Sequence, residues 1–368
     1  MSLNRRDLLS ASALLLAGPG AMLRAAAGEG TASGGGPLVL CWNENPYGPS
    51  PAARSAISQA VADGCRYPSD EEIAALGNAL AAREDIHANH IVIGTGSGEL
   101  LRALGLLYGR DGGEIIAAHP TYEELTSYAQ HWGAAMKFVP LDAQLRHDLP
   151  AMRAALSART RAVYLCNPNN PTGTALPADH IREFVRSLPP TAVAIVDEAY
   201  VDFAAAGETA SVAGLVPEGQ RVVVLRTFSK IHGMAGLRCG YAIAPPDIAA
   251  QLAAACMTTP NIYAVRAARA SLADRGFLAD CRQRILASRA RITAELTRLK
   301  LRYADPQGNF VFFDTGMPLA RFSELMRQRN ILVGRQFPPY DTWCRITIGT
   351  EPEVTTFLGA LREVKSSA

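Results

Sequence analysis

The stretch Val222-Val223-Val224-Leu225-Arg226-Thr227-Phe228-Ser229-Lys230 joins a short apolar run to a polar turn that ends in a lysine. A run of four branched aliphatic residues bounded by polar ones predicts a buried strand. A lysine in the loop after such a strand, with Ser229 beside it and Arg238 eight residues later, suits an amine nucleophile next to a phosphate anchor. A plain surface turn is the alternative that this segment alone leaves open.

Short apolar runs alternate with Ala- and Leu-rich helical patterns on both sides of this stretch. The predicted strands are Ile91–Ile93, Glu114–Ala117, Ala162–Cys166, Val193–Val196, Val222–Leu225 and Tyr241–Ala244. The predicted helices include Gly98–Tyr108, Tyr122–His131 and Pro177–Ser187. Such alternation is typical of an α/β domain whose mainly parallel sheet is flanked by helices. Because these sheets bind ligands at the carboxyl ends of their strands, we expect the chemistry in the loops that follow them.

The C-terminal part has a different pattern. A long helix is predicted over Phe277–Lys300, then strands at Asn309–Asp314 and Cys344–Ile348 with another helix from Leu319 between them. This pattern predicts a smaller α+β domain. We therefore expect an N-terminal arm that contributes to the small domain (37–65), a large domain (66–265) and a small C-terminal domain (266–368).

The composition favours work on small molecules. The 368 residues include 36 basic and 34 acidic side chains, a balance too even to indicate a nucleic-acid partner. The seven cysteines contain no Cys-x-x-Cys pair, so neither a metal cage nor a redox dithiol is indicated, and we expect reduced core cysteines. His87 and His90 lack an evident third ligand, so no metal site is predicted.

The N-terminus has the order of a bacterial export signal. Arg5 and Arg6 precede an apolar stretch, and Ala25-Ala26-Ala27 offers a cleavage site, so residues 1–27 resemble a twin-arginine signal and 28–36 a flexible lead-in. Gly18-Pro19-Gly20 interrupts the apolar stretch, which argues against a permanent membrane span. We expect a periplasmic or otherwise exported protein that uses the twin-arginine machinery. A disordered Ala-rich extension on a cytoplasmic protein is the alternative.

An aspartate ends the apolar strand Ile195-Val196-Asp197. Burying such a carboxylate is costly unless a cation accompanies it. A protonated pyridine nitrogen is such a cation, and an aspartate there keeps the ring acting as an electron sink. A metal-binding carboxylate cluster of Asp197, Glu198 and Asp202 is the alternative.

Two further strand-end loops carry ligand-binding signals. Cys166-Asn167-Pro168-Asn169-Asn170-Pro171-Thr172-Gly173 is a tight loop whose amides can bind a ligand, or a plain turn. Gly94-Thr95-Gly96-Ser97-Gly98-Glu99 lies between a strand and a helix start and offers backbone amides to a phosphate. The loop differs from the dinucleotide pattern because Glu99 replaces the last glycine, although a dinucleotide-binding oxidoreductase stays a competing interpretation.

In this order and spacing the motifs resemble the fold-type-I aminotransferases, and most closely the histidinol-phosphate aminotransferase family. The likeness runs from Asn43-Glu44-Asn45-Pro46-Tyr47-Gly48-Pro49 to Arg345-Ile346-Thr347-Ile348-Gly349-Thr350. The resemblance implies a pyridoxal 5′-phosphate enzyme that moves an amino group from an amino acid, or an amine such as histidinol phosphate, to a 2-oxo acid such as 2-oxoglutarate. Decarboxylases or lyases on the same fold, and a non-catalytic protein derived from it, are the alternatives.

The resemblance also assigns roles to single residues. Lys230 would be the Schiff-base lysine and proton carrier. The other cofactor roles fall to Asp197 at the pyridine nitrogen, Asn170 and Tyr200 at the phenolic oxygen, Tyr122 stacked on the ring, and Ser97, Gly98, Ser229 and Arg238 at the phosphate. Tyr67 would reach the cofactor phosphate of a neighbouring subunit, which implies a homodimer. Arg345 would bind the substrate α-carboxylate, with Asn45, Asn170 and Arg335 also at the substrate.

Two positions depart from the family pattern. The family shows an acidic residue where this chain has Gly98, and an arginine that meets the substrate phosphate where this chain has Gly334. Arg335 is shifted by one residue: in a loop the neighbouring glycine could absorb this shift and let Arg335 reach the substrate, whereas on a strand the shift would turn its side chain to the opposite face. Aromatic and proline residues follow it, namely Phe337, Pro338, Pro339, Tyr340 and Trp343. The sequence therefore predicts a pocket for an aromatic or other non-phosphorylated amino acid, and an arginine introduced at position 334 should shift preference toward the phosphorylated substrate.

Overall fold

A seven-stranded sheet forms the centre of the larger part of the molecule. The computed structural model describes residues 36–205 and 210–366. The strands of this sheet are β2 (Ile91–Gly94), β3 (Glu114–His119), β4 (Ala135–Pro140), β5 (Thr160–Cys166), β6 (Val193–Asp197), β7 (Val222–Thr227) and β8 (Gly240–Ile243). The other strands are β1 (Leu38–Leu40), β9 (Phe310–Asp314), β10 (Ile331–Val333) and β11 (Trp343–Thr347).

The sheet is mainly parallel, as predicted. Its strand order is β2-β8-β7-β6-β5-β3-β4, and β8 alone runs antiparallel to its two neighbours. The carboxyl ends of the six parallel strands therefore meet at one edge, and the amino end of β8 lies at that same edge. Five of the loops identified from the sequence, including those that carry Lys230, Asp197 and Asn170, consequently converge there.

Each central strand is apolar on both faces because helices cover both sides of the sheet. Val163 and Leu165 of β5 pack into one hydrophobic core, while Ala162 and Tyr164 pack into a second core on the opposite face. Successive side chains of a strand point to opposite faces, so a doubly covered strand reads as a continuous apolar run. This is why the central strands could be identified from short apolar runs.

The helices begin at residues that satisfy their free amides. Ser69 caps the second helix with a capping box in which Glu72 returns the hydrogen bond, and Ser50, Asp148, Asn261 and Asp274 cap others. The helices are α1 (Pro51–Ala60), α2 (Asp70–Glu84), α3 (Ser97–Gly109), α4 (Glu124–His131), α5 (Leu149–Ala154), α6 (Ala178–Arg186), α7 (Pro246–Ala255), α8 (Ile262–Ala273), α9 (Arg275–Arg298), α10 (Leu319–Arg327) and α11 (Glu351–Ser366).

Two small sheets and α9, α10 and α11 form the C-terminal part. Strand β9 pairs antiparallel with β11, and β1 pairs in parallel with β10. A separate hydrophobic core joins Phe313, Phe322 and Phe357 with Leu40 from the N-terminal arm. The edge of the large sheet at which the strand-end loops converge faces this part, because Tyr200 and Ile231 pack into the same core.

The predicted strands and helices are confirmed to within two or three residues at most ends. The sequence did not predict β1, β4 or β10. Strands β1 and β10 are three residues long, and β4 is an edge strand with mostly half-buried or exposed side chains, so none shows a clear apolar run.

The cysteine prediction holds for five residues and is wrong for one. Cys41, Cys166, Cys239, Cys281 and Cys344 are buried and free, Cys256 is half-buried, and Cys65 is exposed. Within the described ranges, none of the helices combines the length and apolar character that crossing a bilayer requires. The predicted signal (1–27) and nearly all of the lead-in (28–36) lie outside the described residues.

Candidate active site

A cavity of about 630 Å³ opens at the carboxyl edge of the large sheet, where the C-terminal part and the N-terminal arm close over it. All but two of the residues selected from the sequence line it. They are Ser97, Gly98, Tyr122, Asn170, Asp197, Tyr200, Ser229, Lys230, Arg238, Arg335 and Arg345. The side chains come from six strand ends, those of β2, β3, β5, β6, β7 and β10, and from β11, so parallel sheet topology and long-range strand pairing bring them together.

Lys230 lies in the loop after β7, with its amine at the cavity wall. Its Nζ donates a 2.9 Å hydrogen bond to the carbonyl oxygen of Asn43 and lies 5.4 Å from the centre of the Tyr200 ring. Burial, together with the positive charges of Arg345 and Arg238, lowers the pKa of Lys230 to about 8. An amine with this pKa is substantially neutral near pH 8, the form that attacks a carbonyl carbon.

Asp197 ends β6 at the floor of the cavity and is 1% exposed. Its Oδ1 accepts a 3.1 Å hydrogen bond from the Ala199 amide, and its Oδ2 a 3.4 Å bond from the Tyr164 hydroxyl. Burial raises the pKa of Asp197 to about 6 despite these bonds and the nearby Lys230 charge. Within residues 36–205 and 210–366 no salt bridge joins this carboxylate to a basic side chain, so a cationic group of a ligand would stabilise its charged form.

One corner of the cavity forms an anion-binding cup. Ser97 is the first residue of the 13-residue helix α3, so the positive end of the helix dipole points into the cup. Arg238 Nη1 lies 3.3 Å from Ser229 Oγ and 2.8 Å from the Ala235 carbonyl oxygen. The guanidinium group of Arg238 passes close to Gly96, where a Cβ would stand 2.5 Å from Arg238 Nη2. The backbone of Gly96 also has a φ of +82°, a conformation that favours glycine.

Tyr200 presents its hydroxyl oxygen to two amide donors. Asn43 Nδ2 donates to it at 3.2 Å and Asn170 Nδ2 at 3.4 Å. Because these two amides occupy its acceptor positions, the hydroxyl proton is free to be donated to a ligand oxygen. Burial raises the pKa of Tyr200, so it remains a protonated donor.

Arg345, on β11, provides a buried cation in the half of the cavity that is opposite the cup and is lined by Arg335, Phe337 and Arg345, which we call the substrate half. Its Nη1 donates to Asn170 Oδ1 at 2.6 Å and its Nη2 to the Cys41 carbonyl oxygen at 2.8 Å. Its Nε is buried with no hydrogen-bond partner among residues 36–205 and 210–366. Both partners are neutral oxygens, so the full positive charge is available to a carboxylate.

The structure decides between the two alternatives for Arg335 in favour of the loop. Strand β10 ends at Val333, so Arg335 lies in the following loop, where the face-flip argument for strands does not apply. It lines the cavity, where its Nη2 donates to Glu123 Oε2 at 2.5 Å and its guanidinium carbon lies 4.4 Å from the centre of the Phe337 ring. The shift by one residue therefore leaves an arginine at the cavity, paired with a carboxylate of the protein.

Two expectations for this segment are wrong. Of its aromatic residues, Phe337 alone lines the cavity, while Tyr340 and Trp343 pack around Phe312. Nor is there room for an arginine at position 334, because a Cβ there would stand 2.4 Å from the Arg345 carbonyl oxygen. The substitution would displace β11, which carries Arg345.

Two predicted site residues do not line this cavity. Asn45 uses its side chain within the arm, because its Nδ2 donates to the Ile231 carbonyl oxygen and its Oδ1 accepts from the Tyr47 amide. Tyr67 is 91% exposed. Its predicted contact with a second subunit stays a prediction.

The cavity includes residues that the sequence analysis did not select. Trp42, Asn43 and Glu44 come from the N-terminal arm, and Thr121 precedes the selected Tyr122. Asn43 adopts a left-handed conformation with φ of +55°, and its carbonyl oxygen accepts from both Lys230 and Asn309. Its position at the start of the Asn43–Pro49 motif was the available signal.

The competing site interpretations find no support in the geometry. Glu198 pairs with Arg226 at 2.8 Å and Asp202 lies 3.8 Å from Arg83, so these carboxylates and Asp197 do not converge as metal ligands. In the part of the chain that the structure describes, no group of three potential ligands could hold a metal ion. Glu99, which replaces the last glycine of the dinucleotide pattern, accepts hydrogen bonds from the backbone amides of Thr95, Met257 and Thr258. It thereby connects two loops beside the cup.

The donor set fits a pyridoxal phosphate. The cup at Ser97 and Arg238 suits the phosphate, and Asp197 suits a protonated pyridine nitrogen. Tyr200 and Asn170 supply hydrogen-bond donors between these two ends, where Lys230 presents its amine. The match rests on two features: Asp197 is a buried carboxylate that forms no salt bridge within the described residues, and Arg238 packs against Gly96, where a side chain would collide with its guanidinium group.

Comparisons with known proteins agree with this geometry. A family model for aminotransferases of class I and II matches residues 36–361. The histidinol-phosphate aminotransferase of Moorella thermoacetica is 37% identical over 333 residues, 89% of this chain and 85% of that protein. An aromatic amino acid aminotransferase of Cutibacterium acnes is also 37% identical, over 306 residues, 82% of this chain and 86% of that one. Among solved structures, a histidinol-phosphate aminotransferase from Sinorhizobium meliloti in complex with pyridoxal-5′-phosphate matches with a TM-score of 0.84 at 29% identity, covering 96% of this chain and 95% of that chain.

Proposed function

The chain belongs to the class I and II aminotransferases and is a pyridoxal 5′-phosphate-dependent enzyme, and from this premise we propose that it transfers the amino group of an aromatic amino acid to 2-oxoglutarate. Relatives that are named for histidinol phosphate and relatives that are named for aromatic amino acids match the chain about equally well. The choice between these donors therefore rests on the charges in the cavity.

One observation carries the proposal: of the three arginines that line the cavity, Arg335 is the one paired with a carboxylate in the described part of the chain. Arg238 belongs to the phosphate cup, and Arg345 bonds only neutral oxygens. While Glu123 stays on Arg335, the substrate half thus offers one uncompensated positive charge, and a substrate phosphate would first have to displace Glu123. That charge matches the α-carboxylate of an amino acid, whereas the phosphate of histidinol phosphate is close to a dianion at neutral pH.

The walls near Arg345 suit an apolar side chain. The Phe337 ring lies between two guanidinium groups, 4.4 Å from that of Arg335 and 5.0 Å from that of Arg345. Trp42, which is 40% exposed, stands at the cavity wall on the N-terminal arm. Aromatic side chains pack favourably against such rings and against the planar face of a guanidinium group.

The protein residues have distinct tasks in the reaction. The bound cofactor supplies an electron sink for the substrate α-carbon. Arg345 orients the substrate through its carboxylate, and Lys230 Nζ, with its lowered pKa, holds or releases the proton that moves at the α-carbon. Asp197 supplies a fixed negative charge at the cavity floor. Tyr200 donates its hydroxyl proton to a ligand oxygen, because the amides of Asn43 and Asn170 already occupy the acceptor positions of its own oxygen.

Steady-state kinetics on the purified enzyme test the donor. Phenylalanine, tyrosine, leucine and histidinol phosphate are compared as donors with 2-oxoglutarate as acceptor. We expect the highest kcat/KM with an aromatic amino acid. A higher kcat/KM with histidinol phosphate would overturn the proposal and assign Arg335 to the substrate phosphate.

The quaternary structure that we propose is a homodimer in which Tyr67 reaches the cofactor phosphate of the other subunit. The 91% exposure of this tyrosine supports a role outside its own chain. Sedimentation velocity tests the dimer, and cofactor release from Tyr67→Phe tests the contact. A monomeric, fully active enzyme would refute both.

We also propose that the protein is exported by the twin-arginine route. Arg5 and Arg6 ahead of an apolar stretch support this location. That route carries folded proteins, which suits an enzyme that must acquire its cofactor before export.

A further inference from the structure

An ion pair at the edge of the cavity joins the sheet side to the C-terminal part; its arginine, Arg335, lines the cavity, and its carboxylate, Glu123, lies just outside the lining. Glu123, just before α4, accepts a 2.5 Å hydrogen bond from Arg335, which follows β10 and is 212 residues away in sequence. Their side chains are 44% and 42% exposed, respectively. Each side chain can therefore leave the pair and be solvated at small cost.

The arginine is held from a second direction. Its guanidinium carbon lies 4.4 Å from the centre of the Phe337 ring, and this ring is 5% exposed. The contact fixes the guanidinium at the cavity whether or not Glu123 is present. Exchange of partners by Arg335 therefore requires movement of the carboxylate alone.

An aminotransferase has to accept two side chains in one cavity, because the amino donor and the 2-oxo acid acceptor bind in turn. If the donor is aromatic and the acceptor is 2-oxoglutarate, the same space holds first a neutral ring and then a carboxylate. A fixed, unpaired arginine would favour binding of 2-oxoglutarate. The same arginine would have no counter-charge while the aromatic ring of the donor occupies the cavity. An arginine that is paired with a displaceable carboxylate of the protein can accommodate both the aromatic donor and the dicarboxylic acceptor.

We propose that Glu123 is a specificity-determining residue: it supplies the carboxylate that neutralises Arg335 when the bound side chain is uncharged, and it yields that position to the distal carboxylate of a dicarboxylic substrate. The inference rests on the proposed function for its choice of acceptor. Removal of the Glu123 charge should strengthen binding of dicarboxylates, because they no longer compete with a carboxylate of the protein.

The adjacent Glu124 provides a matched control. It carries the same charge one residue away, and its partner is Arg102, at 2.6 Å. Neither of these two residues lines the cavity. Glu124→Gln thus removes an equal charge and an ion pair, whose arginine and glutamate are 56% and 26% exposed, without changing the partner of Arg335.

Binding of glutarate, an unreactive dicarboxylate, to the cofactor-loaded enzyme tests the inference by calorimetry. We expect Glu123→Gln to lower the Kd for glutarate about two- to fivefold, which is the range set by the worth of a half-exposed ion pair. Glu124→Gln should leave it within the error of the measurement, and Arg335→Gln should raise it. The monocarboxylate 3-phenylpropionate, measured in parallel, should show a smaller change than glutarate in Glu123→Gln.

Equal glutarate affinity in Glu123→Gln and Glu124→Gln would overturn the inference, as would unchanged affinity in Arg335→Gln. Glu123→Asp, which keeps the charge on a shorter side chain, gives a second variant if Glu123→Gln folds poorly. Failure of the donor proposal is recognised by a different measurement. The wild type would then show a higher kcat/KM with histidinol phosphate than with aromatic amino acids, independently of the glutarate affinities of the variants.

Discussion

Gly334 and Arg345 lie back to back where β10 leads into the loop beside β11. The Gly334 amide donates a 3.0 Å hydrogen bond to the carbonyl oxygen of Arg345, and a Cβ at position 334 would stand 2.4 Å from that same oxygen. A glycine is thus required for the approach that holds Arg345 in the cavity.

Gly334→Ala should destabilise the protein by about 1–3 kcal/mol, because the methyl group forces the two backbones apart. Gly359 in α11 is the matched control, since nothing lies within 4 Å of a Cβ there. Gly359→Ala should stabilise the protein by roughly 0.5–1 kcal/mol through helix propensity. Urea unfolding measures both. A neutral or stabilising Gly334→Ala would contradict the packing argument.

Lys230→Ala should abolish turnover and leave the fold intact. The wild type should show a visible absorption band that sodium borohydride bleaches, and the variant should lack it. Lys365→Ala, a substitution in the last turn of α11, serves as the control and should keep the band. If Lys230→Ala retains both the band and the activity, another amine carries the cofactor.

Asp197→Ala should reduce the rate of proton removal from the substrate more than it reduces cofactor retention. We expect a loss of roughly 100-fold in kcat, typical of the removal of one preorganised electrostatic partner, or about 2.7 kcal/mol. Single-turnover absorbance measurements with a deuterated amino acid would isolate the step. Activity within a few-fold of the wild type would show that this carboxylate has no electrostatic role.

Asp197 should also make the stability of the cofactor-free protein depend on pH. Burial raises the pKa of Asp197 from 3.8 to about 6, so the native state binds more protons than the unfolded state between these values. The free energy of unfolding should therefore fall as pH rises from about 4 to 6 and then level off, by up to about 3 kcal/mol from this group.

Asp197→Asn should remove this fall and raise stability at pH 7. Asp280→Asn, which removes a half-exposed carboxylate on α9, is the matched control for the loss of one acidic side chain. Urea unfolding at several pH values provides the measurement. Parallel profiles for the wild type and Asp197→Asn would show that the buried carboxyl titrates normally.

Arg5→Lys combined with Arg6→Lys should retain the protein in the cytoplasm, folded and loaded with cofactor. The paired arginines are the recognised part of a twin-arginine signal, and lysines preserve the charge without the guanidinium groups. Cell fractionation of both forms measures the effect. Unchanged export of the variant, or absence of the wild type from the exported fraction, would remove the export proposal.

The sequence by itself determined the central sheet and the residues in its strand-end loops. Buried parallel strands are read from short apolar runs, and the ends of such strands converge at one edge whatever the details of packing. Lys230, Asp197 and Asn170 could therefore be selected because each follows such a run. The edge strand β4 and the short β1 and β10 lack this signal, because their position depends on the partner strand more than on their own apolar pattern.

The tertiary structure alone decided the substrate half of the cavity. Arg345 meets Asn170 across 175 residues, and Arg335 meets Glu123 across 212. Local spacing cannot specify such distant contacts, because they depend on how β11 and the loop after β10 pack against the large sheet. For the same reason the sequence left the direction of Arg335 open and suggested that position 334 accepts an arginine. The end of β10 at Val333 places Arg335 in a loop, and the close approach of the Gly334 and Arg345 backbones leaves no room for an arginine at position 334.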